Sequence, residues 1–286
     1  MSFAVSVSIL TCLAALACAV PGVYLTLSNR AMLIDAISHS LLPGIVIGYL
    51  LTHDFSSPLL FMLATLSALI VTIANTALAR SGLLAEGASQ GMIAPALLAV
   101  GVILVTAFAR NLHLDGHTIL VGDPNLVAFE ELCLGDSCFG PRQSWVLAGL
   151  LLINLIFAWF ARRHLMAAVF DYNFALTRSL RPGLALSVLM LLTAITVTAA
   201  FAATGSILAI TMAVAPAAIA RLLTHTIKLL VLYALGIAVV IAQSGFWIAY
   251  YLNLPTSAAI AFTYGIAFFA ALGWHLRKAH SSRARS

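Results

Sequence analysis

The chain has 286 residues, 63% of them hydrophobic and only 8% charged, with a mean hydropathy of +1.08. Soluble domains carry about 25% charged residues, so the composition points away from a soluble domain and into the bilayer. The net charge of +5 does not indicate nucleic-acid binding, because the basic residues are confined to connections between apolar runs.

Runs long enough to cross a hydrocarbon core of about 30 Å as helices cover 6–27, 33–51, 58–79, 88–109, 145–161, 184–203, 229–250 and 257–276. A shorter run, 206–220, contains Pro216 and reads either as a span or as a broken helix. The expected fold is an all-α polytopic membrane protein of eight or nine transmembrane helices, with 1–286 as a single transmembrane domain. No basic residue precedes the first run, the first being Arg30, so 1–27 is expected to be a retained span and not a cleaved signal peptide. Alternating the spans places Arg30, Arg80, Arg162 to Arg181, Arg221, Lys228 and the tail from Arg277 on one side. That side holds twelve of the fourteen Lys and Arg residues; Arg110 and Arg142 fall opposite. Basic residues mark cytoplasmic connections, so the other side, with Asp54, Asp115, Asp123, Glu130, Glu131 and Asp136, faces outward.

The second span, MLIDAISHSLLPGIVIGYLL, carries Asp35 and His39. Four residues apart on a helix, they share a face at about 5–6 Å, so both can reach one ion. A carboxylate oxygen with an imidazole nitrogen suits Mn²⁺, Fe²⁺ or Zn²⁺. Pro43 cannot donate to the His39 carbonyl and is expected to kink or open the helix, as at membrane depth where backbone lines a cavity. The competing reading is an interfacial pair, with Asp35 bound to Arg30 or another basic residue. Ionisable residues inside spans are costly and mark pathways, which favours the functional reading. Two ligands are too few for a coordination sphere, so the remainder must come from water, further side chains or a second copy of the chain. Cys12 and Cys18 in the first span read as small apolar fillers, and Asn75, Gln90, Asn154 and Gln243 as interhelical hydrogen-bonding groups.

Two connections are long. The outer one, 110–144, is acidic, and its alternating pieces HTILVG and NLVAF could form a small hairpin. His113, Asp115 and His117 would point to one side of an extended segment; they read as a solvated loop or as an outer metal relay. Cys133 and Cys138 face an oxidising compartment, so a disulfide is favoured over metal binding. The inner connection, 162–183, is too polar to span. It has helical spacing around Met166, Val169, Phe170 and Phe174 and ends at Pro182 and Gly183. It reads as an amphipathic helix lying on the membrane or docking a partner. No G-x-x-x-x-G-K-[ST] occurs; Lys228 and Lys278 are the only lysines and lack a glycine-rich lead-in, so ATP cannot be bound here by a P-loop.

Four blocks in order, MLIDAISHSLLPGIVIGYLL, HLDGHTILVGD with GPRQSW, FDYNFALTRSL, and TVTAAFAATGSILAITMAVAPAAIARLLT with YYLNLPTSAAI, resemble the permease subunits of ABC-3 family importers for manganese, zinc and iron. The resemblance covers nearly the whole chain and is nearest to the manganese branch. It implies an ABC importer permease of the metal-chelate type in a bacterial cytoplasmic (inner) membrane. The implied partners are a second permease copy (identical or paralogous), a cytoplasmic ABC ATPase dimer and an extracytoplasmic metal-binding protein. It also implies metal coordination by Asp35 and His39, and ATPase coupling through 162–182, including Phe170, Asp171, Phe174, Ala175 and Ser179. Two positions depart from the family pattern: Ser179 stands where a glycine is common, and Glu86 beside Gly87 leaves one acid where a pair is usual.

The expected function is thus the membrane subunit of an ATP-driven importer of a divalent metal, manganese first, with no permanently bound cofactor and no catalytic residues. The alternatives are a proton-coupled secondary metal carrier using Asp35 and His39 as relay, and a membrane enzyme with His39 as base, for which no nucleophile is evident.

Overall fold

A computed structural model describes residues 3–53, 57–81, 86–108, 123–134, 137–170, 182–224 and 226–283. Among them are α1 (Phe3–Leu27), α2 (Met32–Thr52), α3 (Pro58–Arg80), α4 (Glu86–Phe108), the single turn α5 (Pro124–Val127), strands β1 (Glu131–Leu134) and β2 (Ser137–Pro141), α6 (Arg142–Phe170), α7 (Pro182–Thr204), α8 (Ser206–Leu223), α9 (Ile227–Leu252) and α10 (Thr256–Arg283). Nine of these helices are long and apolar enough to cross a membrane. The run around Pro216 is therefore a full helix of 18 residues, α8, and the described residues hold nine candidate spans. Proline is tolerated there because neighbouring helices in a bundle can satisfy the freed backbone groups.

The elements follow from local chemistry. Apolar side chains dominate every long helix, and hydrocarbon forces the backbone to satisfy its own hydrogen bonds. Helix α3 opens with Ser57 as N-cap, its side chain accepting from the Leu59 N–H at 3.3 Å, and with Pro58 in the first turn. Helices α7 and α8 are separated by Gly205 alone, at φ 81°, a conformation that side chains with a Cβ rarely adopt. Ser257 of α10 closes that corner by donating to the Thr204 carbonyl at 3.0 Å.

Helix α1 is the hub. It packs on α6, α7, α8 and α9, and α10 completes this group against α8 and α9. The α1–α8 crossing is so close that a Cβ on Gly22 would stand 1.9 Å from the Ala213 carbonyl oxygen. Helix α2 packs instead on α3 and α4, and α7 touches both groups. Polar side chains tie helices together as expected: Asn154 donates to Thr196 at 2.8 Å, and Gln243 and Ser8 exchange bonds at 2.6 and 2.9 Å. The aromatic cluster Phe246, Trp247, Tyr250 and Tyr251 gathers at the C-terminal end of α9, as amphipathic rings do at the ends of spans.

The connections are described in part, and HTILVG of the expected outer hairpin lies outside the described residues. The outer hairpin pairs β1 with β2 (ELCL with SCFGP), and NLVAF contributes instead to a helical turn whose N-cap is Asp123, accepting from the Asn125 N–H at 2.9 Å. An Asx cap followed by proline favours a turn over a strand. On the inner side, 171–181 lie outside the described residues, and only 162–170 of the expected amphipathic segment is described. That stretch is the last part of α6, which runs unbroken for 29 residues into the basic side. Arg162 lies over the Trp159 ring at 5.2 Å, as expected of a helix leaving the bilayer with its cation near the interface.

Candidate metal site on the second span

Helix α2 is the site's scaffold and is buried along most of its length. Ala36 and Ile37 are fully covered, and Ser38 and Ser40 are at most 1% exposed. Within this stretch the side chains of His39 and Asp35 remain 29% and 41% exposed. Asp35 lies in the first turn, where the amide dipoles favour a carboxylate. Its Oδ1 stands 3.4 Å from His39 Nε2. That is longer than a good N–H···O bond. Two donors each 2.0–2.2 Å from a shared ion would stand about 3.0 Å apart at a right angle and about 3.4 Å apart at the tetrahedral angle. The spacing fits two ligands of one ion, and it equally fits an Asp–His ion pair. His39 Nδ1 is buried and has no hydrogen-bond partner among the described residues.

Helical geometry fixes which side of α2 bears the pair. At 3.6 residues per turn, Leu42 is two turns from Asp35, and Pro43 is one turn from His39, on nearly the same side. There α4 comes so close that a Cβ on Gly101 would stand 2.9 Å from Leu42 Cδ2 and 3.0 Å from Pro43 Cδ. Gly48, nine residues from His39, lies half a turn round and meets Leu60 of α3. The metal-competent stripe therefore runs along the α4 side. Helix α2 continues through Pro43 to Thr52 without a break, so the proline removes one bond to the His39 carbonyl without opening the helix.

No group of three His, Cys, Asp or Glu residues able to hold a metal occurs among the described residues. Asp35 and His39 are brought together; among the described residues a third ligand is not. The outer candidates His113, Asp115 and His117 lie outside the described residues, as do Asp171, Phe174, Ala175 and Ser179. Phe170 is the last residue of α6. Cys133 and Cys138 are backbone partners across the hairpin. The sequence reading passed over Gly44–Ile45–Val46–Ile47–Gly48, a G-x-x-x-G spacing that signals close helix packing. Gly44 and Gly48 are where α3 presses on α2.

The ABC 3 transport family model matches residues 1–274. The chain is 30% identical over 271 residues to the manganese transport system membrane protein MntD of Bacillus subtilis, covering 95% of this chain and 92% of that one. It is 35% identical over 205 residues to the zinc transport system membrane protein TroD of Treponema pallidum, covering 70% of this chain and 54% of that one. Other relatives are named for iron transport. Its fold is similar to that of PsaBC from Streptococcus pneumoniae, solved in complex with a Fab, with a TM-score of 0.75, 22% identity and coverage of 95% and 91%. The chain therefore belongs to the ABC 3 transport family as a multi-pass inner-membrane permease subunit, with ATP hydrolysis in a separate subunit.

Proposed function

We propose that this chain forms the translocation pathway of an ATP-driven importer of divalent transition-metal ions, manganese first, with zinc and iron as the other candidates. The observation that carries this reading is the Asp35–His39 pair: two hard-to-intermediate donors at ligand spacing, partly open within the otherwise buried stretch 33–44. The cargo is held transiently. Two protein donors leave coordination positions for water and for the same pair on a second permease copy, which keeps binding weak enough to release the ion.

In the cycle, an extracytoplasmic metal-binding protein delivers the ion to the outer mouth, past His113, Asp115 and His117. Asp35 and His39 receive it, and ATP turnover transmitted through 162–182, with Phe170, Asp171, Phe174, Ala175 and Ser179, opens the basic side. A Cys133–Cys138 disulfide would lock the outer hairpin; the backbone register that sets the two opposite each other supports it.

Reconstitution into proteoliposomes tests the reading. Mn²⁺ uptake is expected only when the ATPase subunit and ATP are present. Uptake by this chain alone, driven by a proton gradient, would replace the reading with a secondary carrier.

A further inference from the structure

The proline step of α2 receives support from outside the helix. Pro43 has no N–H for the His39 carbonyl, and the next carbonyl along, that of Ser40, accepts a hydrogen bond from the Ser67 hydroxyl of α3. The neighbouring hydroxyls are turned inward on their own helix: Ser40 Oγ donates to Ile37 O at 2.6 Å, and Ser38 Oγ to Ile34 O at 3.0 Å. Ser67 reaches its acceptor because α3 lies flush against this turn. A Cβ on Gly44 would stand 2.7 Å from the Leu63 carbonyl oxygen and 2.9 Å from Ser67 Cβ.

We propose that Ser67 is a positioning residue for the metal site, setting where the His39 imidazole stands relative to Asp35. His39 is the residue immediately before the pinned carbonyl, at the point where the helix has lost a bond of its own. Asp35 is a full turn earlier, where the ladder is unaffected by Pro43. Freeing the Ser40 carbonyl therefore shifts one ligand more than the other. A ligand set needs placement to about 0.5 Å and 10–20°, and a tilt of that size at the turn moves the far end of an imidazole by about 1 Å. The 3.4 Å spacing of the pair is what Ser67 protects. This inference rests on Asp35 and His39 being metal ligands.

The test uses this chain assembled with its ATPase, the metal-binding protein being added only for uptake so that equilibrium binding reads this chain, and Mn²⁺ as the probe. Equilibrium Mn²⁺ binding to the purified complex and the Mn²⁺ concentration for half-maximal uptake are measured for Ser67→Ala, Ser67→Thr, His39→Ala and the Ser67→Ala/His39→Ala pair. Outer-shell partners of a metal ligand typically change affinity 10–100-fold. Ser67→Ala is expected to weaken Mn²⁺ binding about tenfold and raise the half-maximal concentration in step, with the maximal uptake rate held within about twofold. Ser67→Thr, which keeps the hydroxyl, restores both. In the His39→Ala background Ser67→Ala adds nothing, because residues acting through one another are not additive. Unchanged binding in Ser67→Ala, or an equal and additive loss in the His39→Ala background, would reduce Ser67 to a packing residue and overturn the inference. If His39→Ala itself leaves Mn²⁺ binding intact, the metal-ligand reading fails as well; if it abolishes binding while Ser67→Ala is silent, only the positioning role falls. Should Ser67→Ala not assemble, Ser67→Cys, similar in size and a weaker donor, is scored by the same criteria.

Discussion

Helices α1 and α2 are joined by four residues, 28–31, yet they live in different surroundings. Helix α1 is enclosed by four spans, carries no charged side chain, and meets α8 with backbone almost touching backbone at Gly22. Its Ser8 is paired with Gln243 of α9. Helix α2 is as deeply packed on its α3 side, but its Asp35 and His39 are left partly open. The difference separates two tasks. One region uses close contact and satisfied polar pairs to hold the bundle. The other tolerates two ionisable groups whose chemistry a fully buried helix would not allow.

The largest effect should come from breaking the first region. Gly22→Leu places a side chain where even a Cβ would sit 1.9 Å from the Ala213 carbonyl. The obstacle is backbone, so the crossing must open. Overpacking of a core costs about 1–3 kcal/mol where side chains can yield, and here they cannot. The expected outcome is loss of folded, membrane-extracted protein, read by monodispersity in size-exclusion chromatography. Normal recovery would show that α1 is not the hub.

The second region should fail differently. Asp35→Asn with His39→Ala removes the carboxylate charge and the imidazole donor from positions that are 41% and 29% exposed, so the fold should survive. Mn²⁺ uptake in proteoliposomes is expected to fall to the level of protein-free vesicles while the thermal midpoint moves by no more than a few degrees. Wild-type uptake by the doubly substituted protein would remove the site from the mechanism.

Gly101→Val sharpens the boundary between the two. Its Cβ would meet Leu42 Cδ2 at 2.9 Å, Leu42 Cγ at 3.0 Å and Pro43 Cδ at 3.0 Å. These are side-chain atoms, and the leucine end can move, so α4 is displaced without the bundle coming apart. An increase of about tenfold in the half-maximal Mn²⁺ concentration is expected, of the size seen when the surroundings of a metal ligand are disturbed. Equal loss of expression and uptake would mean that α4 is part of the stabilising core.

The sequence made the spans and the Asp35–His39 pair legible for the same reason: each stands out against a local background. Twenty apolar residues are conspicuous, and so are two ionisable groups among them. Less legible were features set by approach between distant segments. Ser67 lies 27 positions from the carbonyl it binds, and nothing local in LATLSAL marks it. Gly101 reads as one more small residue in an apolar run until α2 is laid beside it. Pro216 made α8 look breakable because helix propensity penalises a proline that a packed bundle accommodates. The NLVAF half of the hairpin was misplaced because its composition is strand-like, whereas the Asp123–Pro124 cap just before it decides the turn.

The smallest effect tests whether α1's polar pairs belong to stability alone. Gln243→Leu removes two bonds to Ser8, at 2.6 and 2.9 Å, that tie α9 to α1. Such bonds between membrane helices average about 0.6 kcal/mol, because the unfolded chain in the bilayer also finds partners. Leucine replaces the amide with an apolar group of similar size, but the Ser8 hydroxyl is left to return to its own helix, where the i−4 or i−3 carbonyl accepts hydroxyl protons, as Thr11 does with Val7 and Ser8 at 3.0 Å. The expected result is a thermal midpoint lowered by a few degrees at most. The half-maximal Mn²⁺ concentration should be unchanged, since Gln243 is on α9 and the metal-competent stripe faces α4. A shift in that concentration without a shift in stability would mean that the α1 group also shapes the ion's path, and the division between holding and transporting helices would no longer stand.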